Sequence, residues 1–361
     1  MDGGSPVPNS VMSGGPNRKR ARVSETPPLR GNSGIVLFCG FVILLLQGCS
    51  QIQSSLEPAS RTTALIADFW WGMLLVGMVI LAGVLLLLFV GLRRGGPRGE
   101  RPLSTRGAFL LVLTGGVVTP LAVILAMVVV GVLIGKEIAK RPESGPIVEV
   151  VGRLWWWELR YLDEEGDLIA TTANEMHVPV GRPVRLRLIS DNVIHSFWVP
   201  RLQGKTDLIP GQVNESWIEA EKAGVYRGQC SEYCGTQHAL MSFLVVAEPP
   251  EVFERWLSRQ AEPATEPESE AQARGRQVFV EQGCAACHTI RGVSEVGEIG
   301  PDLTHLAGRR MLAAAAIPNT RGHLGGWISD PQHVKPGNKM PSTVMEPNEL
   351  QALLVYLGSL E

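Results

Sequence analysis

Two long runs without a charged residue constrain this chain more than any other feature. Residues 69–92 and 108–135 carry no Asp, Glu, Lys or Arg. About 20 apolar residues in a helix cross the hydrocarbon core of a bilayer, so each run is long enough to span a membrane. Between them stand Arg93, Arg94, Arg98, Arg101 and Arg106 against one acid, Glu100. A short arginine-rich loop stays on the cytoplasmic side. The two runs therefore read as a hairpin with both ends, and everything after Gly135, facing outward.

The N-terminal region reads as a targeting segment. Residues 1–33 are rich in Gly, Pro, Ser and Arg, with no apolar face, and are predicted to be disordered. Arg18, Lys19, Arg20 and Arg22 precede an apolar stretch, 34–46, too short to span comfortably. That order fits a signal peptide better than a nucleic-acid contact, and a formal charge of −2 also argues against nucleic acid. The stretch ends in Leu46-Gln47-Gly48-Cys49, which looks like a bacterial lipobox and implies cleavage before Cys49 and its lipidation. The expected organisation is a basic tail plus lipoprotein signal peptide over 1–48, an outer segment over 49–64 and the membrane hairpin over 65–140.

Beyond the hairpin, Cys230, Cys234, His238 and Met241 fall within twelve residues, and His195 lies upstream. Thiolate, imidazole and thioether together suit copper. Two cysteines can bridge two copper ions, each ion taking one histidine, with Met241 and a backbone carbonyl as weak axial ligands. A disulfide or half a zinc site is the plainer alternative, but structural zinc sites favour Cys-x2-Cys spacing. Residues 183–189 and 242–247 alternate apolar and polar positions as strands do. Roughly a hundred residues of this kind, 141–258, suit a Greek-key sandwich.

An acidic, Pro-containing linker over 259–272 precedes a second module, 273–361. Its Cys284-Ala-Ala-Cys287-His288 is a haem c attachment motif, with thioethers at both cysteines and His288 on the iron. Short helices are expected at 274–279 and 347–357. Met340 offers a thioether, with Met345 and Met311 as competitors. His177 reads as a surface or strand residue, and His305, His323 and His333 as surface residues. All six cysteines then have a place: Cys39 in the leader, Cys49 at the lipobox, two on copper and two on haem.

Taken in order, Trp155-Trp156-Trp157 and segments 172–181, 195–200, 207–211 and 230–241 resemble subunit II of the haem–copper cytochrome c oxidases. Residues 272–361 resemble a class I cytochrome c. The resemblance implies a multidomain membrane protein: a transmembrane helix hairpin, a cupredoxin-like Greek-key β-barrel and an all-α cytochrome c domain. It implies a dinuclear CuA centre on His195, Cys230, Cys234, His238, Met241 and the carbonyl of Glu232. The Glu232 side chain would face a magnesium shared with subunit I. An exposed member of Trp155, Trp156 and Trp157 would receive electrons, and haem c would sit on Cys284 and Cys287 with His288 and Met340 as axial ligands.

On that resemblance the chain is expected to be subunit II of a caa-type oxidase in a bacterial plasma membrane, with subunits I and III as partners. A cytochrome c or a cytochrome bc-type complex would be the donor. Electrons would pass through haem c and CuA to subunit I, where oxygen is reduced to water; no oxygen site lies on this chain. Relatives carry a glutamate for proton uptake at the start of the second span. Here the segment is Arg106-Gly-Ala-Phe-Leu-Leu, so that role is not carried over. A quinol oxidase subunit lacks the copper ligands. Nitrous oxide reductase needs seven histidines for its cluster, and this chain has 7 in all, three already committed. A CuA-containing nitric oxide reductase is the runner-up, and a membrane-anchored copper assembly factor has no use for a haem.

Overall fold

The computed structural model describes residues 52–94 and 104–361. The expected signal peptide, Cys49 and the loop residues Arg98, Glu100 and Arg101 lie outside them. Helix α1 (Arg61–Arg94) covers the first apolar run. The second is covered by α2 (Thr105–Leu113) and α3 (Thr119–Ile138), joined through one π-turn at Thr114–Val118. Pro120 has no N–H to give the ladder and the Gly115-Gly116 pair yields easily, so the turn widens there. The Thr114 hydroxyl bonds to the Leu110 carbonyl at 2.7 Å across the site. Leu75, Val79, Leu86 and Leu133 point outward and exposed, as lipid-facing side chains do.

Ten strands make the outer β-domain: β1 (Ile147–Arg153), β2 (Trp156–Leu162), β3 (Leu168–Ala173), β4 (Glu175–Pro179), β5 (Val184–Ser190), β6 (His195–Trp198), β7 (Thr206–Leu208), β8 (Asn214–Ile218), β9 (Gly224–Cys230) and β10 (Ser242–Glu248). They form two sheets, ordered β3-β2-β1-β5-β8 and β4-β10-β9-β6-β7. The β1–β5 and β4–β10 pairs are parallel, the signature of chain crossing between sheets, and the other pairs are antiparallel. In β5, Val184, Leu186 and Leu188 turn inward while Arg185 and Arg187 stay at the edge. They meet Met176, Phe197, Tyr226 and Phe243 from the facing sheet in one core, the cupredoxin-like arrangement.

The barrel is fastened to the outer ends of both membrane helices. Ser60 Oγ donates to Leu202 O at 2.6 Å and Thr63 Oγ1 to Arg201 O at 2.8 Å. Trp217 Nε1 reaches Ile138 O at 3.4 Å.

Helix α4 (Pro250–Ala261) lies on the barrel through Phe253, Trp256 and Leu257. Residues 262–269, without regular structure, lead to α5 (Glu270–Glu281), which opens with a Ser269–Gln272 capping box. Helices α6 (Arg321–Ser329), α7 (Pro331–Val334) and α8 (Pro347–Leu357) follow. Helices α5 and α8 bury Val278, Phe279, Leu353, Leu354 and Tyr356 in a second core with Ile290, Leu306 and Ile328.

The helical module sits directly on the barrel. Arg310 N donates to Glu175 Oε2 at 2.9 Å, Ser242 N to Ala314 O at 3.2 Å and Arg227 Nη1 to Ala315 O at 3.1 Å. Ala313, Ala314 and Ala315 all have φ between 55° and 58°. Left-handed backbone is costly for a residue with a Cβ, and this turn is held in place by the barrel groups that bond its carbonyls.

Packing buries several residues that the sequence left open or placed at the surface. Trp156 and Trp157 begin β2 on opposite faces, yet both are buried, because Ala314 of the helical module covers Trp156. His177 is on strand β4 but buried, and His305 is buried with its ring nitrogens on the carbonyls of Glu361 and Glu262. His323 and His333 are exposed.

Candidate metal centre

The expected copper residues converge at one end of the barrel. Strand β9 ends at Cys230, and the loop then carries Cys234, His238 and Met241 back to β10. Strand β6 brings His195 in beside them, paired across Phe197↔Cys230. Cys230 Sγ lies 3.7 Å from Cys234 Sγ, 3.8 Å from His195 Nδ1 and 3.1 Å from Glu232 O. Cys234 Sγ lies 3.7 Å from both His238 Nδ1 and Met241 Sδ. Among the described residues, the group of His195, Cys230 and Cys234 is the one set of ionisable side chains close enough to share a metal.

The donor set fits a pair of soft metal ions. Two sulfurs occupy the centre, one imidazole stands beside each, and the thioether and a carbonyl lie on opposite flanks. His195 and Met241 are 0% exposed and both thiols 4%. The Cys234 side chain, with help from His195, holds the Cys230 thiol well below its ordinary value against the opposing effect of burial. Cys234 is pushed up in turn by Cys230 and by burial. A metal bound between the two sulfurs would displace their protons and hold both as thiolates.

Residues around the ligands fix their geometry. Asn192 Oδ1 lies 3.1 Å from His195 Nε2, which leaves Nδ1 for the thiol side. Trp155 Nε1 donates to Cys234 O at 2.8 Å. Its indole lies on Gly235, where φ is +111° and a Cβ would come within 3.2 Å of the ring. Of the three tryptophans, Trp155 alone keeps partial exposure; it stands just ahead of β2. The Glu232 side chain is half-buried beside the loop, with no partner for its carboxylate among the described residues. The spacing of the Cys-rich motif shows none of these neighbours, because Asn192 and Trp155 lie outside it.

In the helical module, Cys284 and Cys287 are free thiols on a 3-10 turn, half-buried, with His288 next to them. His288 Nδ1 donates to Pro301 O at 2.8 Å, so Nε2 is left to ligate. Burial foremost holds His288 below its ordinary value, in the neutral form that ligates. Gly300 lets the ring lie close, because a Cβ there would stand 2.5 Å from Cε1. Arg309 Nε is sealed from solvent without a partner among the described residues, a seat for an anionic substituent. These features fit a covalently held haem. Met340 and Met345 both pack against the module's core, while Met311 lies on the short strand β11 (Met311–Leu312), which pairs with β12 (Ile317–Pro318).

Comparisons with known proteins match both modules. Residues 164–248 match the family described as cytochrome C oxidase subunit II, periplasmic domain, and residues 272–361 match cytochrome c. Cytochrome c oxidase subunit 2 of Alkalihalophilus pseudofirmus is 32% identical over 333 residues, 89% of this chain and 95% of that protein. The protein of the same description from Bacillus subtilis is 29% identical over 355 residues, 91% and 97% of the two chains. Among solved structures, the periplasmic domain of subunit II of cytochrome oxidase (CoxB) of Bradyrhizobium japonicum is similar at 30% identity. It covers 33% of this chain and 95% of that one, with a TM-score of 0.31.

Proposed function

The chain belongs to the cytochrome c oxidase subunit II family, and on that premise we propose that it passes electrons from an external donor through haem c and CuA to subunit I. Membership makes it a membrane-anchored subunit of a haem–copper terminal oxidase, partnered with subunit I and carrying its own cytochrome c domain. The family implies copper in the barrel and haem c in the helical module. The observation that carries the proposal is the convergence of five side-chain donors, Cys230, Cys234, His195, His238 and Met241, on one buried spot.

In this reading those five residues and the Glu232 carbonyl hold two copper ions, and Cys284, Cys287, His288 and Met340 hold the haem. When bound, copper held by those five residues would supply a one-electron store, and haem held by Cys284, Cys287, His288 and Met340 would supply a second carrier of raised potential. The barrel residues keep the ligands fixed, so little has to move when charge arrives. Burial of His195 and Met241 keeps water from the metals. The unpartnered carboxylate of Glu232 would meet magnesium at the junction with subunit I. Cys49 would carry the lipid, subunit III would complete the complex, and oxygen would be reduced to water on subunit I.

The test is spectroscopic and uses the purified oxidase. A c-type haem band, near-infrared copper absorption and a multi-line EPR spectrum of a mixed-valence pair are expected. One copper per chain with an ordinary four-line signal would overturn the dinuclear site.

A further inference from the structure

Four hydrogen bonds run head to tail from the copper loop to the methionine loop of the cytochrome module. Trp155 Nε1 donates to Cys234 O at 2.8 Å. Lys335 Nζ donates to Trp155 O at 3.0 Å. Asn338 Nδ2 donates to Lys335 O at 2.7 Å, and Met340 N donates to Asn338 Oδ1 at 2.7 Å. The chain is unbroken, because covalent bonds of Trp155, Lys335 and Asn338 join each hydrogen bond to the next. It crosses from one module to the other at a single link, the Lys335 ammonium on the Trp155 carbonyl.

Lys335 is an unusual residue to find there. It is 3% exposed, and no carboxylate pairs with it among the described residues. A buried cation without a carboxylate is costly, so a solvated lysine would be the cheaper way to end helix α7. Gln332 and Asn338 knit the loop after α7 into a fixed shape, with Gln332 Nε2 on the carbonyls of Asn338 and Met340 at 3.0 and 3.1 Å. Gln237 of the copper loop also bonds to Pro336 O. The modules are held together elsewhere too, by Arg310 on Glu175, Arg227 on Ala315 and Ser242 on Ala314. Docking therefore has contacts besides Lys335, and its place in the hydrogen-bonded chain calls for a further explanation.

We propose that this chain of hydrogen bonds is the route by which an electron crosses from haem c to the copper pair, with Lys335 the positioning residue that closes it. The inference rests on the copper and haem assignments made above. The step moves one electron and makes or breaks no bond: haem c is oxidised by one electron, the copper pair is reduced by the same electron, and no proton is transferred. Trp155 thus accepts from within the chain, through its backbone carbonyl, rather than from a visiting protein.

The experiment measures electron transfer from haem c to copper after rapid photoreduction in the assembled oxidase, wild type and Lys335→Met. Methionine keeps most of the volume and removes the donor. The expected result is a several-fold or larger fall in the transfer rate, with both spectra unchanged and segment 262–269 as resistant to protease as in the wild type. An unchanged rate would overturn the proposal. So would a slower rate accompanied by cleavage of 262–269, because Lys335 would then serve only to hold the modules together. Should the variant not assemble, the wild type decides: the rate is expected to be independent of added viscogen, and a rate that falls with viscosity would mean a module that swings to transfer. Absence of the copper or haem spectrum from the wild type would instead sink the assignments beneath the proposal, a distinct outcome.

Discussion

Asn192 holds His195 from outside the Cys-rich loop: Oδ1 of the amide stands 3.1 Å from Nε2 of the imidazole. The amide selects which ring nitrogen points at Cys230. Asn192→Ala is expected to weaken copper retention by about 10–100-fold, the usual cost of losing such an orienting partner. Copper content after dialysis against a graded chelator measures it, and the haem band serves as the internal control.

The two modules keep separate cores, one around Trp157 and Phe243, the other around Phe279 and Tyr356. Cys234→Ser should therefore abolish the near-infrared copper band while the haem spectrum and its thermal transition stay in place. Loss of both signals together would show that the barrel and the helical module fold as one unit.

Met340 and Met345 share the surface of the cytochrome core. Methionine opposite histidine raises a haem's potential, so Met340→Ala is expected to lower the haem midpoint potential and Met345→Ala to leave it nearly unchanged. A redox titration of each variant checks this, and the reverse order would assign the thioether to Met345.

His177 lies between two carboxylates, with Nδ1 2.9 Å from Glu248 and Nε2 3.3 Å from Glu175, and it stacks on Trp256 at 4.0 Å. Burial alone would lower its proton affinity. The hydrogen bonds and charges of Glu175 and Glu248 outweigh burial and raise it above the ordinary 6.5. A raised histidine binds its proton more tightly in the folded state, so its contribution is complete below about pH 6.5 and fades as pH climbs through the raised value. His177→Gln is expected to cost about 2 kcal/mol at pH 6, where charged hydrogen bonds are lost, and less at higher pH. Thermal melts across that range should converge toward alkaline pH; parallel curves would remove the imidazolium from the account.

What the sequence could reveal was local. Cys230 to Met241 and Cys284 to His288 declare their chemistry within a few residues, and the arginines around the apolar runs declare a hairpin. The strand at 184–190 announces itself by alternating Val184, Leu186 and Leu188 with arginines. What stayed hidden depends on segments far apart. Nothing near Trp156 shows that Ala314, some 160 positions later, is laid against it. The alanine run 313–316 has the highest helix propensity, yet Ala313, Ala314 and Ala315 make a left-handed turn because Ser242 and Arg227 claim its carbonyls. Lys335 gives no sign in its own neighbourhood that it will be buried against Trp155.

The bonds from Ser60 and Thr63 to the loop at 201–202, and from Trp217 to Ile138, tie the barrel to the outer ends of both helices. A helix longer than the local hydrocarbon thickness leans to fit it, and α1 has 34 residues, about 51 Å at 1.5 Å each. A change in the lean of the hairpin would therefore carry the barrel, and the loop that holds Cys230 and Cys234, with it.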